Sequence, residues 1–144
     1  MSNYTSSLNP RVRAFVEWRL EHYQDDKRML LEYLAEKMPS NVAAYGAEAT
    51  ARGQSGTGRP TEGLAVKLAA DRYIVELERT VNAIEHVTER LTPERKKLVE
   101  LVYWRGTHTP SGAAAVLHIS RRTAYRYINE ILTAIAAEMG FCTV

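Results

Sequence analysis

The chain has 144 residues, 45% of them hydrophobic and 25% charged, and a formal net charge of +2. That length holds one modest core or two small helical modules, and the lone Cys142 excludes an internal disulfide. No run approaches the roughly twenty apolar residues that span a bilayer, and Met1–Arg13 lacks the apolar core of a signal peptide, so no membrane partner is expected and the expected setting is a reducing cytoplasm.

The first helical pattern opens at Asn9-Pro10 and ends before Met38-Pro39. Proline suits the first helical position, and the residue before a proline resists helical geometry. Val12, Val16, Leu20, Tyr23, Leu30 and Leu34 form its inward seam, interrupted by Lys27, while Phe15, Trp18 and Leu31 widen the apolar face. Residues 1–39 therefore read as an N-terminal amphipathic packing helix.

Residues 40–63 are rich in Gly, Ala, Ser and Thr, and Gly53–Pro60 (GQSGTGRP) has too little apolar content to pack, so the segment reads as a flexible linker. Its glycines do not make a nucleotide site, because the Gly-Lys-Ser/Thr ending of a P-loop and a preceding strand are both missing.

A second long pattern begins near Thr61 and continues to about Arg90, with its body at 64–90. Ala70, Ile74, Leu77, Val81, Ile84, Thr88 and Leu91 alternate in it at spacings of four and three. About three heptads suit either a short coiled coil between copies, with Ile74, Leu77, Val81 and Ile84 at the oligomerisation seam, or packing against the first helix within one chain.

Residues 91–144 read as a C-terminal helix-turn-helix domain. Leu91-Thr92-Pro93-Glu94 starts its first helix, with Thr92 as N-cap, Pro93 next and Glu94 near the positive helix end. This helix is expected to end near Gly106. Leu98, Leu101, Val102 and Tyr103 supply its apolar stripe, and Lys96, Lys97 and Arg105 are candidates for contact with a DNA backbone.

From Thr109 to Asn129 (TPSGAAAVLHISRRTAYRYIN) two short helices flank a tight turn. Thr109 caps the first, which opens on Pro110, runs to about Leu117 and carries the small residues Ala113, Ala114 and Ala115 where crossing helices need close approach. His118 stands where such motifs often place glycine, so a positive φ is expected there. Ser120 caps the second helix, whose inward face carries Ala124, Tyr127 or Ile128, Ile131 and Ile135.

Its outward face carries Arg121, Arg122, Tyr125, Arg126 and Asn129, with Ser120 and Thr123 beside them near the N-terminus. A recognition helix presents that half to the major groove. Arginine makes bidentate contacts with guanine, asparagine with adenine, and any of the arginines can neutralise a phosphate. Charge distribution agrees: Pro93–Asn129 holds seven Lys or Arg against Glu94 and Glu100, whereas residues 1–92 hold twelve basic and thirteen acidic side chains. A local basic excess is the footprint of phosphate binding, so double-stranded DNA is the expected partner. Because two-fold DNA readers commonly bind two half-sites, a homo-oligomer is expected, a dimer first.

The order LTPERKKLVELVYW, a short loop, a small-residue helix and then HISRRTAYRYINEILTAIAAEMG resembles the C-terminal region of RinA/ArpU-type phage transcriptional regulators, which is itself similar to sigma-factor region 4. The resemblance is most specific over Leu91–Gly140. It implies activation of phage late genes in a bacterial host cell, with RNA polymerase as a partner and Arg121, Arg122, Tyr125 and Arg126 as DNA readers. A small terminase-like subunit that recognises DNA during phage genome packaging is the alternative, since it combines the same parts and differs in forming a ring. A subunit that binds only protein would lack salt-sensitive DNA affinity.

Other chemistry finds little support. His22, His86, His108 and His118 show no zinc spacing, no serine elbow is present, and Asp25-Asp26 and Glu76/Glu78 lie on amphipathic patterns where solvated faces are expected. No catalytic residue, metal site or cofactor is expected. The chain reads as all-α: long N-terminal helices joined by a flexible linker, then a C-terminal helix-turn-helix domain.

Overall fold

Four of the five prolines stand at the first residue of a helix, the position where a missing N–H costs nothing. The structure, a computed structural model, describes residues 8–36 and 60–141, with side chains from residue 70 onward in the second span. Its described residues are all helix, turn and loop, so the all-α class holds. Cys142 and linker residues 40–59 lie outside them.

Helix α1 (Pro10–Glu21) starts at Asn9, whose side chain accepts the backbone N–H of Arg11. A turn at His22 separates it from α2 (23–36), so the single N-terminal helix expected from the sequence is two. The His22 N–H reaches back to the Leu20 and Trp18 carbonyls, and its ring Nδ1 lies 2.7 Å from the Trp18 oxygen. Helix α3 spans Pro60–Thr88, opening on proline inside the segment expected as linker.

Thr92 caps α4 (Pro93–Val99) by accepting the Arg95 N–H at 3.4 Å. The helix passes directly into a π-helical turn, Glu100–Trp104, closed by Arg105 N–H donating to the Glu100 carbonyl at 2.7 Å. Gly106 then takes φ +64, and the N–H groups of Thr107 and His108 both converge on the Leu101 carbonyl. Leu98, Leu101 and Tyr103 of the expected stripe are buried, together with Val99 at the end of α4, whereas Val102 is only partly buried.

Helix α5 (Pro110–Leu117) is capped by Thr109, which accepts from Gly112 N–H at 3.1 Å, and α6 (Arg121–Glu138) by Ser120, which accepts from Thr123 N–H at 3.0 Å. Between them His118 sits in the left-handed region at φ 57, as its turn position requires. Ala113 and Ala114 are buried where α5 packs on α6, and Ile128, rather than Tyr127, continues the inward face of α6.

The chain divides into two compact units. One joins α1 to everything from Arg79 onward; its core includes Val16, Leu20, Ile84, Leu98, Ile128 and Ile135. Each such side chain taken from water contributes about 1.5–3 kcal/mol. The other unit, made by the described residues between 25 and 78, sets α2 beside the middle of α3: Tyr33 Oη lies 3.5 Å from Asp71 Oδ1, and Tyr73 Oη 3.5 Å from Met29 Sδ.

Two further expectations change. Leu77, Val81 and Ile84 are 0%, 2% and 0% exposed in a single chain, so they are not an available seam between copies. Ile84 instead shares a core with Val16 and Leu20 of α1, the within-chain use of the same spacing, while Ile74 is half-buried. Phe15, Trp18, Leu31 and Leu34 are exposed, not part of an inward face. Phe15 and Trp18 stand one residue before and two after Val16, which turns them away from the side that Val16 and Leu20 bury.

Candidate nucleic-acid interface

The first two turns of α6 stand clear of the core on one side. Arg121, Arg122, Tyr125 and Arg126 are exposed there, while Ala124 and Ile128 anchor the opposite side. The spacing explains both sets: residues one, four and five positions apart sweep one broad arc of a helix, and 124, 128, 131 and 135 fall on its complement. None of Arg121, Arg122 and Arg126 has a carboxylate partner among the described residues, and neither does exposed Lys96.

Aromatic rings order two of these arginines. The Arg121 guanidinium lies 5.6 Å from the Tyr125 ring centre and that of Arg126 lies 5.5 Å from Tyr127. Such contacts restrain a long side chain while leaving its N–H donors free for a ligand. Ser120 and Thr123 are occupied otherwise, since Ser120 Oγ donates to Thr123 Oγ1 at 2.8 Å while capping α6. They hold the helix start.

Lys97 and Arg105 flank one carboxylate: Lys97 Nζ is 3.7 Å from Glu100 Oε2, and Arg105 Nη2 is 3.0 Å from Glu100 Oε1. Their shared acid cancels one of two positive charges. Arg95, the neighbour of Lys96, serves α6 directly, with Nη1 2.9 Å from Glu130 Oε2 and its guanidinium 4.2 Å from the Tyr127 ring centre. That contact fixes α4 against the recognition candidate.

Asn129 is tied to α1. Its Oδ1 accepts a hydrogen bond from Arg13 Nη1, and Arg13 Nε pairs with Glu17 Oε1 at 3.0 Å. Glu17 in turn accepts from Tyr103 Oη at 3.3 Å. A polar chain thus runs from the π turn through α1 to α6. Burial pushes the Tyr103 phenol well above its ordinary range, and the adjacent Glu17 carboxylate pushes the same way, with Arg13 partly opposing them.

Periodicity located the exposed arginines but not this chain. Arg13–Glu17 carries a local signal, an i,i+4 pair of opposite charge. Nothing local marks Arg13–Asn129 or Tyr103–Glu17, which lie 116 and 86 residues apart. Among the described residues no group of His, Cys, Asp and Glu is placed to hold a metal ion, and no helix is long and apolar enough to cross a membrane.

The chain belongs to the DUF722 family, described as a protein of unknown function, whose pattern matches residues 17–137. No curated protein and no solved structure matches it.

Proposed function

We propose that this DUF722-family chain is a sequence-specific double-stranded DNA-binding protein that regulates transcription, with the first two turns of α6 entering the major groove. The observation that carries the reading is the set of three arginines, 121, 122 and 126, exposed on one arc without a carboxylate partner among the described residues. Left uncompensated on a well-capped helix, they repel one another, and a polyanion relieves that repulsion. Their planar forks match the N7 and O6 edge of guanine as well as phosphate oxygens.

In this reading Arg122 and Arg126 reach base edges, Tyr125 supplies apolar contact beside them, and Arg121 and Lys96 anchor phosphates. α5 and the capped turn at His118–Ser120 set the entry of α6 without contributing chemistry. Likeness to RinA/ArpU-type phage regulators supports a promoter as the site of action in the bacterial host cytoplasm, activation of phage late genes as the outcome, and RNA polymerase as the partner. Catalysis and cofactors have no part in it.

The test is enrichment of genome fragments by the purified chain at near-physiological salt, followed by footprinting. A discrete footprint beside a promoter is the expected result. Enrichment at a packaging-initiation region moves the chain to the terminase-like reading, and no enrichment over random DNA overturns sequence-specific recognition.

A further inference from the structure

We propose that Arg13 of α1 is a phosphate contact of the DNA face and that Asn129 positions it rather than reading a base. The proposal rests on the DNA-binding reading above and adds α1 to an interface otherwise made by α6 and Lys96 of α4. Asn129 stands three residues after Arg126, four after Tyr125 and seven after Arg122, spacings that keep side chains on one helical face. Asn129 itself stands about 4.5 Å farther along the α6 axis than Arg126, and the guanidinium that it holds lies within hydrogen-bond reach of that position.

The geometry leaves Arg13 competent to bind. Its Nε is taken by Glu17 and its Nη1 by Asn129, but Nη2 has no partner among the described residues, and 34% of the side chain is exposed. Three groups that immobilise it are themselves fixed. Glu17 is gripped by Tyr103, Asn129 lies on a helix anchored by Ile128 and Ile131, and α1 is seated by Val16 and Leu20, both fully buried. A preset guanidinium loses little freedom on meeting a phosphate. For Asn129 the consequence is opposite: a bidentate adenine contact uses its carbonyl and amide together, and the carbonyl already serves Arg13.

The experiment measures affinity against salt concentration for a target duplex and a random-sequence duplex, using the full chain and its Arg13→Gln, Arg13→Lys and Asn129→Ala variants. Removing one phosphate contact lowers the slope of log K on log salt by about 0.9. Arg13→Gln is expected to show that loss and to weaken both duplexes by the same factor, whereas Arg13→Lys keeps the slope. Asn129→Ala is expected to weaken both duplexes equally, leaving their ratio intact.

An unchanged slope in Arg13→Gln overturns the proposal, because Glu17 would then already neutralise Arg13. A collapsed ratio in Asn129→Ala overturns it too, by making Asn129 a base reader. If Arg13→Gln does not fold, Glu17→Gln decides: unmasking Arg13 is expected to strengthen binding and steepen the slope, and no change in either contradicts the proposal. A wild-type chain with no salt-dependent affinity removes the DNA-binding reading and this inference together; an unchanged slope in Arg13→Gln beside a weakened Arg122→Ala removes this inference alone.

Discussion

Arg122→Ala and Arg126→Ala test the reading face one side chain at a time. Each is expected to weaken specific DNA binding by about 1–3 kcal/mol where it contacts a base edge, measured by titration against the footprinted duplex. Unaltered affinity in both would exclude α6 as the reader. Tyr103 makes a prediction in pH. Its folded pKa is raised above the ordinary phenol value of 10.0, so the stability it carries is complete below that value and is lost as pH rises through and above it. Urea unfolding from pH 9 to 11 (roughly one unit either side of a phenol's ordinary value) should show wild type losing more stability than Tyr103→Phe. Parallel curves would mean that the phenol is not held in its neutral form by the fold. The exposure of Arg121, Arg122, Tyr125 and Arg126 was readable from helical periodicity alone, because each outward position has an apolar neighbour fixing the inward one. The engagement of Asn129 was not, since its partner is on another helix, 116 residues away.

At the scale of elements, caps and prolines made most helix starts legible: Asn9-Pro10, Thr92-Pro93, Thr109-Pro110 and Ser120 all stand where local hydrogen-bond chemistry puts them. The positive φ of His118 was legible for the same reason, a turn that needs it. Two irregularities were not. The break at His22 has no glycine or proline to announce it, and the π turn at Glu100–Trp104 inserts into an unbroken helical pattern. His118 also offers a test of the turn. His118→Val places a β-branched residue in the left-handed region and is expected to cost about 1–3 kcal/mol, while His118→Gly keeps the fold because glycine adopts that conformation freely. Thermal unfolding of both variants checks this. Equal stability of valine and glycine there would contradict the turn geometry.

For the molecule as a whole, a heptad-like spacing did not say whether its apolar side would face another copy or the same chain. Both uses demand the same pattern of residues, and only the position of α1 distinguishes them. Val16 and Leu20 share a core with Ile84, so that position of the seam is used within the chain. Ile84→Ala is therefore expected to destabilise the chain by about 2–5 kcal/mol through lost burial and a residual cavity. Its unfolding should not depend on protein concentration. Equilibrium unfolding at two concentrations measures this, and a variant that unfolds no more readily but changes mass in solution would restore the intermolecular seam. α1, the described residues from Arg79 onward and the exposed arc of α6 thus form one unit in which the N-terminal helix packs against α6.

In the proposed function, the exposed arginines of α6 bind duplex DNA by sequence. That binding is tested by the affinity of the Arg122→Ala/Arg126→Ala double variant, relative to wild type, for a footprinted duplex and for a scrambled duplex of equal length at the same salt. The variant is expected to lose most of its preference for the footprinted sequence while its helical content is unchanged. A folded variant that retains the full wild-type preference would contradict it.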